Sequence, residues 1–371
     1  MVRIFWSILF ILLVCPSFAQ NLFKNAKAES QRIVLIHPTV GTIKHFNGLI
    51  EQNIIELKNA EIVGLYHEKE DYDYNQSVKY LEEKQLNNYS LHAVNAPLKL
   101  ENLFQTNELT PILTEVVKKA DAVLFFGGSD LPAAAYGEKT LLTTGAPDIY
   151  RHYFELSSLF QLLGGEQNRT IKPLLDLKPK LVVRAFCLGM QTMNVATGGS
   201  LFQDIPSNIY GKKYIEDVVK QQPDNIHRYY WYYFQKVPNV YYAAFHHIRL
   251  KIDGYFVNEL KLSNTDNPLV NSRHHQAVKK IGQNLLVEAT SMDGKVIEAL
   301  SHRQYPNVIG VQFHPEDYRL YRFDQEYRIK PSQKELKPLP TILQEGEGYE
   351  LHIRFWKHFS LEVMKNSIHR N

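Results

Sequence analysis

The stretch Lys180-Leu-Val-Val-Arg-Ala-Phe186, running straight into Cys187-Leu188-Gly189-Met190-Gln191, decides the fold. A short apolar, β-branched run of this kind reads as a strand buried on both faces. Thr192 to Ala196 suits a helix, and Gly198-Gly199 closes it. Strand, sharp turn and helix together form an elbow, which holds a side chain exposed on a strained turn at a helix N-terminus. Cys187 occupies that turn, with Ala185 and Gly189 as the small neighbours it needs. The helix N-terminus favours a thiolate, so Cys187 is a candidate nucleophile. A free cysteine buried at a strand end is the competing reading.

Working outward, Arg32 to Ile36, Glu61 to Leu65 and Ala122 to Phe126 are also strand-like, with helix-like segments such as Ile43 to Ile55 between them. Such alternation predicts an α/β protein with a mainly parallel sheet and a site at the carboxyl ends of its strands. After Asp204 the pattern changes. An insertion over about 205–246 is crowded with aromatics, including Tyr229-Tyr230-Trp231-Tyr232-Tyr233-Phe234 and Tyr241-Tyr242. It reads as an amphipathic cover packed on the core, the alternative being an aromatic wall for a ligand or a docking surface. A charged, proline-bearing tail follows over about 318–348, and residues 349–364 suit a final amphipathic helix.

The N-terminus has the layout of an export signal: Arg3, an apolar run from Ile4 to Val14, then Ser17-Phe18-Ala19. Cleavage after Ala19 leaves one domain over 20–371, exported to the periplasm or secreted. The apolar run is shorter than the roughly 20 residues that span a bilayer, and no integral membrane segment is expected after cleavage. Val14 argues against lipidation of Cys15. Cys187 is then the single remaining cysteine, and no internal disulfide is expected. The net charge of +3 and the absence of a basic run with stacking aromatics argue against a nucleic-acid partner.

A thiolate nucleophile needs a base, and the base needs an orienting group. Val308-Ile-Gly-Val-Gln-Phe-His314-Pro315-Glu316 supplies both, since an apolar strand delivers His314 to the sheet edge and Glu316 follows to hold the imidazole. Phe126-Gly127-Gly128-Ser129-Asp130 ends another apolar strand, where glycines let backbone amides approach a ligand. With the amide of Leu188 it suits an oxyanion hole. His246-His247 and His274-His275 suggest a metal, but adjacent strand histidines point to opposite faces and no carboxylate has ligand spacing to them. No metal or other cofactor is expected.

These residues resemble the class I glutamine amidotransferase-like hydrolases, in the branch of γ-glutamyl-γ-aminobutyrate hydrolases and γ-glutamyl peptidases. Five blocks in order carry the resemblance: Gly127 to Asp130 with Tyr136-Gly137-Glu138, Cys187 to Ala196, Gly198 to Ile205, Val270 to Ala277, and Gly310 to Glu316. The resemblance implies a three-layer αβα sandwich with a flavodoxin-like sheet. It implies Cys187, His314 and Glu316 as a triad, Gly128 and Leu188 as oxyanion donors, and Gln191 and His275 as substrate contacts. The expected activity is hydrolysis of a γ-glutamyl amide bond in a small compound or peptide through a thioester. The alternatives are a catalytically silent binding protein on the same fold, or a glutaminase subunit supplying ammonia to a partner. Ala185, Leu188 and Arg273 depart from the family pattern, as do the insertion and the tail, so the family's substrate specificity is not carried over.

Overall fold

The computed structural model describes residues 22–24 and 26–370; the expected export signal and Cys15 lie outside them. Five parallel strands form the first half of a ten-stranded sheet: β1 (Arg32–Ile36), β2 (Glu61–His67), β3 (Tyr89–Val94), β4 (Ala122–Phe125) and β5 (Val182–Phe186). Helices α1 (Val40–Glu51), α2 (Asn75–Glu83), α3 (Thr110–Lys119) and α4 (Ile149–Leu163) connect them in turn. Beyond β5 come α5 (Leu188–Ala196) and β6 (Ser200–Phe202), then β7 (Ala244–Leu250), β8 (Leu269–Ser272), β9 (Ala277–Lys280), β10 (Leu285–Ser291), β11 (Ile297–His302) and β12 (Val308–Val311). The sheet order is β3-β2-β1-β4-β5-β12-β11-β10-β7-β8, while β6 pairs with β9 separately.

Pairing is parallel from β3 through β12 and antiparallel from β12 to β8. The sheet is therefore mostly parallel at its centre, as the alternating pattern predicts, with an antiparallel wing. The strand period of two sorts the core into layers. Val34, Val123, Val183 and Ala185 face α3, α4 and α5, whereas Ile33, Leu124, Val182 and Phe186 face α1 and the final helix, Tyr349–Ile368. The result is the α/β sandwich of a flavodoxin-like fold. Its second layer is anchored by Phe355, Trp356 and Phe359, all fully buried. Among the described residues, no helix is long and apolar enough to cross a membrane.

The insertion contains short helices at Ile205–Asn208 and Ile215–Val218 and single turns at Pro223–Asn225 and Trp231–Tyr233. Its aromatics divide. Tyr229, Tyr230 and Tyr241 are buried, while Tyr233, Phe234 and Tyr242 remain exposed. The tail comes back to meet it: Tyr241 N–H donates to the Arg328 carbonyl at 3.0 Å and Arg328 N–H to the Asn239 carbonyl at 2.9 Å. The two segments that depart from the family pattern thus brace each other.

Candidate functional site

Cys187 caps α5 with φ 49° and ψ −105°, a conformation that L side chains rarely adopt. Its backbone N–H donates to the Val311 carbonyl at 2.8 Å, which fixes the elbow to β12. Gly189 lets α5 approach β4: a Cβ there would lie 2.7 Å from the Phe125 carbonyl oxygen. Backbone strain at position 187 has a measurable consequence. Cys187→Gly is expected to be more stable than Cys187→Ala by about 1 kcal/mol, since both remove the thiol but only glycine relieves the positive φ. Urea unfolding midpoints of the two variants check this, and equal midpoints would show that the turn is unstrained.

Beside the elbow lies a cavity of about 330 Å³ lined by Gly128, Ser129, Asp130, Thr143, Gly145, Cys187, Gln191, Arg228, Arg273, His274, His275 and Gln276. It sits at the carboxyl ends of β4 and β5, where an open α/β sheet carries its ligands. Larger surface depressions elsewhere, such as the one between Gln31 and Met364, contain none of the predicted residues. Of those residues, Gly128, Cys187, Gln191 and His275 line the cavity. Leu188 is buried behind Cys187, and His314 lies beside the elbow. A Cβ on Gly127 would stand 2.9 Å from His314 Cε1 and 3.5 Å from Cys187 Cβ. Arg151, which sequence reasoning missed, holds the glycine loop from below by donating to the Gly127 carbonyl at 2.9 Å.

Gln191 uses its amide NH₂ to hold the wall, donating to the Gln276 carbonyl and to Gln312 Oε1, each at 3.2 Å. His275 is gripped at both ring nitrogens, by Asp130 at 2.9 Å and Asp204 at 3.2 Å. Burial alone would lower its pKa, but these two carboxylates push it up to about 9. It is an imidazolium at neutral pH. Arg273, one of the departures from the family pattern, reaches Asp317 at 2.6 Å and lies over the Tyr241 ring. That arginine therefore ties the cavity wall to the insertion.

His314 Nδ1 donates to Glu316 Oε1 at 2.7 Å. Burial disfavours the charged ring, yet Glu316 and then Cys187 raise its pKa to about 10. The expected relay needs one further link, from the other ring nitrogen to the thiol. By hydrogen-bond geometry buried Nε2 of His314 has no partner among the described residues, although Cys187 lies close enough to raise the pKa of the ring. Among the described residues, the histidine–carboxylate group whose ligating atoms lie within 4.8 Å of one another is instead His227, His274 and Glu298, which includes no cysteine. The expected Cys187–His314–Glu316 triad, and with it the cysteine hydrolase cleaving a γ-glutamyl amide through a thioester, is corrected on these grounds.

The sequence profile of the family described as Peptidase C26 matches residues 61–316, from β2 to the turn that carries Glu316.

The chain belongs to the peptidase C26 family.

A putative glutamine amidotransferase-like protein of Lactococcus lactis is 30% identical over 198 residues, covering 53% of the chain and 66% of that protein. The γ-glutamyl-γ-aminobutyrate hydrolase of Escherichia coli K12 is 33% identical over 143 residues, covering 38% of the chain and 48% of that protein. The chain thus spans between about half and two thirds of the length of these relatives. The matched range includes the strands from β2 to β12, the elbow and the glycine loop. His227 and Glu298 fall within the matched range; sequence reasoning passed over them because their partners are distant in the chain.

Proposed function

We propose that this C26-family chain is a binding protein, and that the cavity beside Cys187 takes a small γ-glutamyl-type compound without turning it over. The observation that carries this reading is the charge arrangement of the lining. Arg228 and Arg273 supply cationic groups, while Asp130, ion-paired with His275 at 2.9 Å, supplies a carboxylate to the same lining. A γ-glutamyl compound presents an α-carboxylate beside an α-ammonium, which is complementary to that pattern. About 330 Å³ is the lower end of the range for small-molecule pockets and suits a dipeptide-sized ligand. The name of the Escherichia coli relative supports the γ-glutamyl class. A glutaminase subunit would need the same thiol–imidazole link as the hydrolase, so the missing bond at His314 Nε2 counts equally against it.

Titration calorimetry with γ-glutamyl-γ-aminobutyrate tests the proposal. One saturable site per chain is expected, with affinity falling about tenfold or more in Arg228→Ala, the loss for a charged hydrogen bond. No heat of binding for γ-glutamyl compounds, or binding unchanged by Arg228→Ala, would contradict the assigned pocket.

A further inference from the structure

Beneath the cavity, three histidines and a glutamate converge from four separate parts of the chain. His227 comes from the insertion, His246 from β7, His274 from the β8–β9 connection and Glu298 from β11. All four are essentially excluded from solvent. Glu298 Oε1 is 3.1 Å from His227 Nδ1, 3.2 Å from His246 Nε2 and 3.7 Å from His274 Nε2. Only the His246 contact has hydrogen-bond geometry. Both ring nitrogens of His227, Nε2 of His274 and Oε2 of Glu298 are buried with no hydrogen-bond partner among the described residues.

The tautomer of His274 sharpens this. Its Nδ1 is 2.9 Å from the Gln276 carbonyl oxygen, which can only accept, so Nδ1 carries the proton. In the neutral ring Nε2 is then a bare lone pair, and it faces the carboxylate of Glu298, another acceptor. Two acceptors facing each other away from water leave a position for a cation.

We propose that His227, His274 and Glu298 bind a divalent transition-metal ion of the zinc class, with His246 holding the carboxylate from behind. Ligands about 2.1 Å from a tetrahedral zinc stand about 3.4 Å apart, close to the 3.1 and 3.7 Å seen between Glu298 and the two histidines. Two imidazoles and one carboxylate exclude calcium and magnesium, which take oxygen ligands, and suit zinc, cobalt or iron(II). The surroundings also match. A backbone carbonyl fixes the tautomer of one ligating histidine, and the ligating carboxylate is itself hydrogen-bonded. The ion would pin the insertion to the sheet at His227, whose carbonyl also accepts from Ser272 Oγ at 2.6 Å. Sequence reasoning rightly separated the two members of each histidine pair. His247 turns away to Asp224, and His275 to Asp130 and Asp204. It missed the site because the remaining ligands are contributed by tertiary contacts.

The experiment is titration of the chelator-stripped, full-length chain with cobalt(II) and with zinc(II), followed by visible absorption and elemental analysis. The expected result is one ion per chain, with the d–d bands of tetrahedral cobalt and no thiolate charge-transfer band. Affinity should fall at least tenfold in Glu298→Gln, a change that preserves volume, while the circular dichroism spectrum is retained. Less than about a tenth of an equivalent bound by the wild-type chain would overturn the proposal. So would unchanged affinity in a folded Glu298→Gln chain, or a thiolate band that disappears in Cys187→Ser. If Glu298→Gln fails to fold, X-ray absorption of the zinc-loaded wild type decides. Two imidazoles with only nitrogen and oxygen donors support the site, and any sulfur donor refutes it.

Discussion

Replacing Asp317 by asparagine is expected to lower the stability of the chain by about 3 kcal/mol, measured as a shift in the guanidinium unfolding curve at neutral pH. Asp317 is the meeting point of the cavity wall, the insertion and the tail. Its Oδ2 accepts from Tyr241 Oη at 2.7 Å and from Arg273 and Arg319, each at 2.6 Å; its Oδ1 accepts from Arg319 Nε at 2.8 Å. His45 stands 3.5 Å from the same carboxylate. Removing the negative charge leaves two neighbouring guanidinium groups without a counter-ion. Those groups are about one third exposed, so water screens part of their repulsion and the low end of the range for a broken buried pair applies.

Burial opposes ionisation of Asp317, but Arg319 and then Arg273 override it and hold its pKa well below the ordinary carboxylate value. The stabilisation is therefore fully present above the unfolded-state value of about 3.9 and is lost as pH falls through the lower folded-state value. Asp317→Asn should remove this part of the acid dependence. An acid limb identical to that of the wild type would show that the carboxylate is not the bracing group.

The second large effect lies at the other end of the pH scale. His275 is raised to about 9, so its contribution is complete below the unfolded-state value near 6.5 and is lost as pH rises through about 9. The difference corresponds to about 3 kcal/mol, with the ion pairs counted once on the histidine and not again on Asp204. The side chains of His275, Asp130 and Asp204 are 12%, 15% and 12% exposed, so screening is limited. His275→Gln should lose that stability at neutral pH and show a flatter profile between about pH 7 and 10. Because His275 joins the glycine loop to the turn before Ile205, ligand affinity should follow the same pH dependence. Parallel wild-type and variant profiles across that interval would contradict the imidazolium assignment.

The parts of the fold that were legible in the sequence are those set by local pattern. Continuous apolar runs marked β1, β2, β4 and β5, and the small residues around Cys187 marked the elbow whose positive φ the structure shows. His275 was identified as part of the site, though its role as a doubly paired imidazolium depends on Asp130 and Asp204, 145 and 71 residues away in the chain. The antiparallel wing and the pairing of insertion with tail carry no comparable local signal. Chemistry was hardest to read. Whether Cys187 and His314 share a proton turns on one contact, and motif spacing specifies neighbourhood without specifying that bond. The same limit hid the cluster around Glu298, where each ligand is an ordinary buried residue until the sheet assembles.

The most direct test of binding without turnover is mass spectrometry of γ-glutamyl-γ-aminobutyrate and of the protein after prolonged incubation at saturating ligand. Recovery of the ligand intact, with no γ-glutamyl adduct on Cys187, is the predicted result. Release of free glutamate by the wild-type chain, abolished in Cys187→Ala, would contradict the account and restore the cysteine hydrolase.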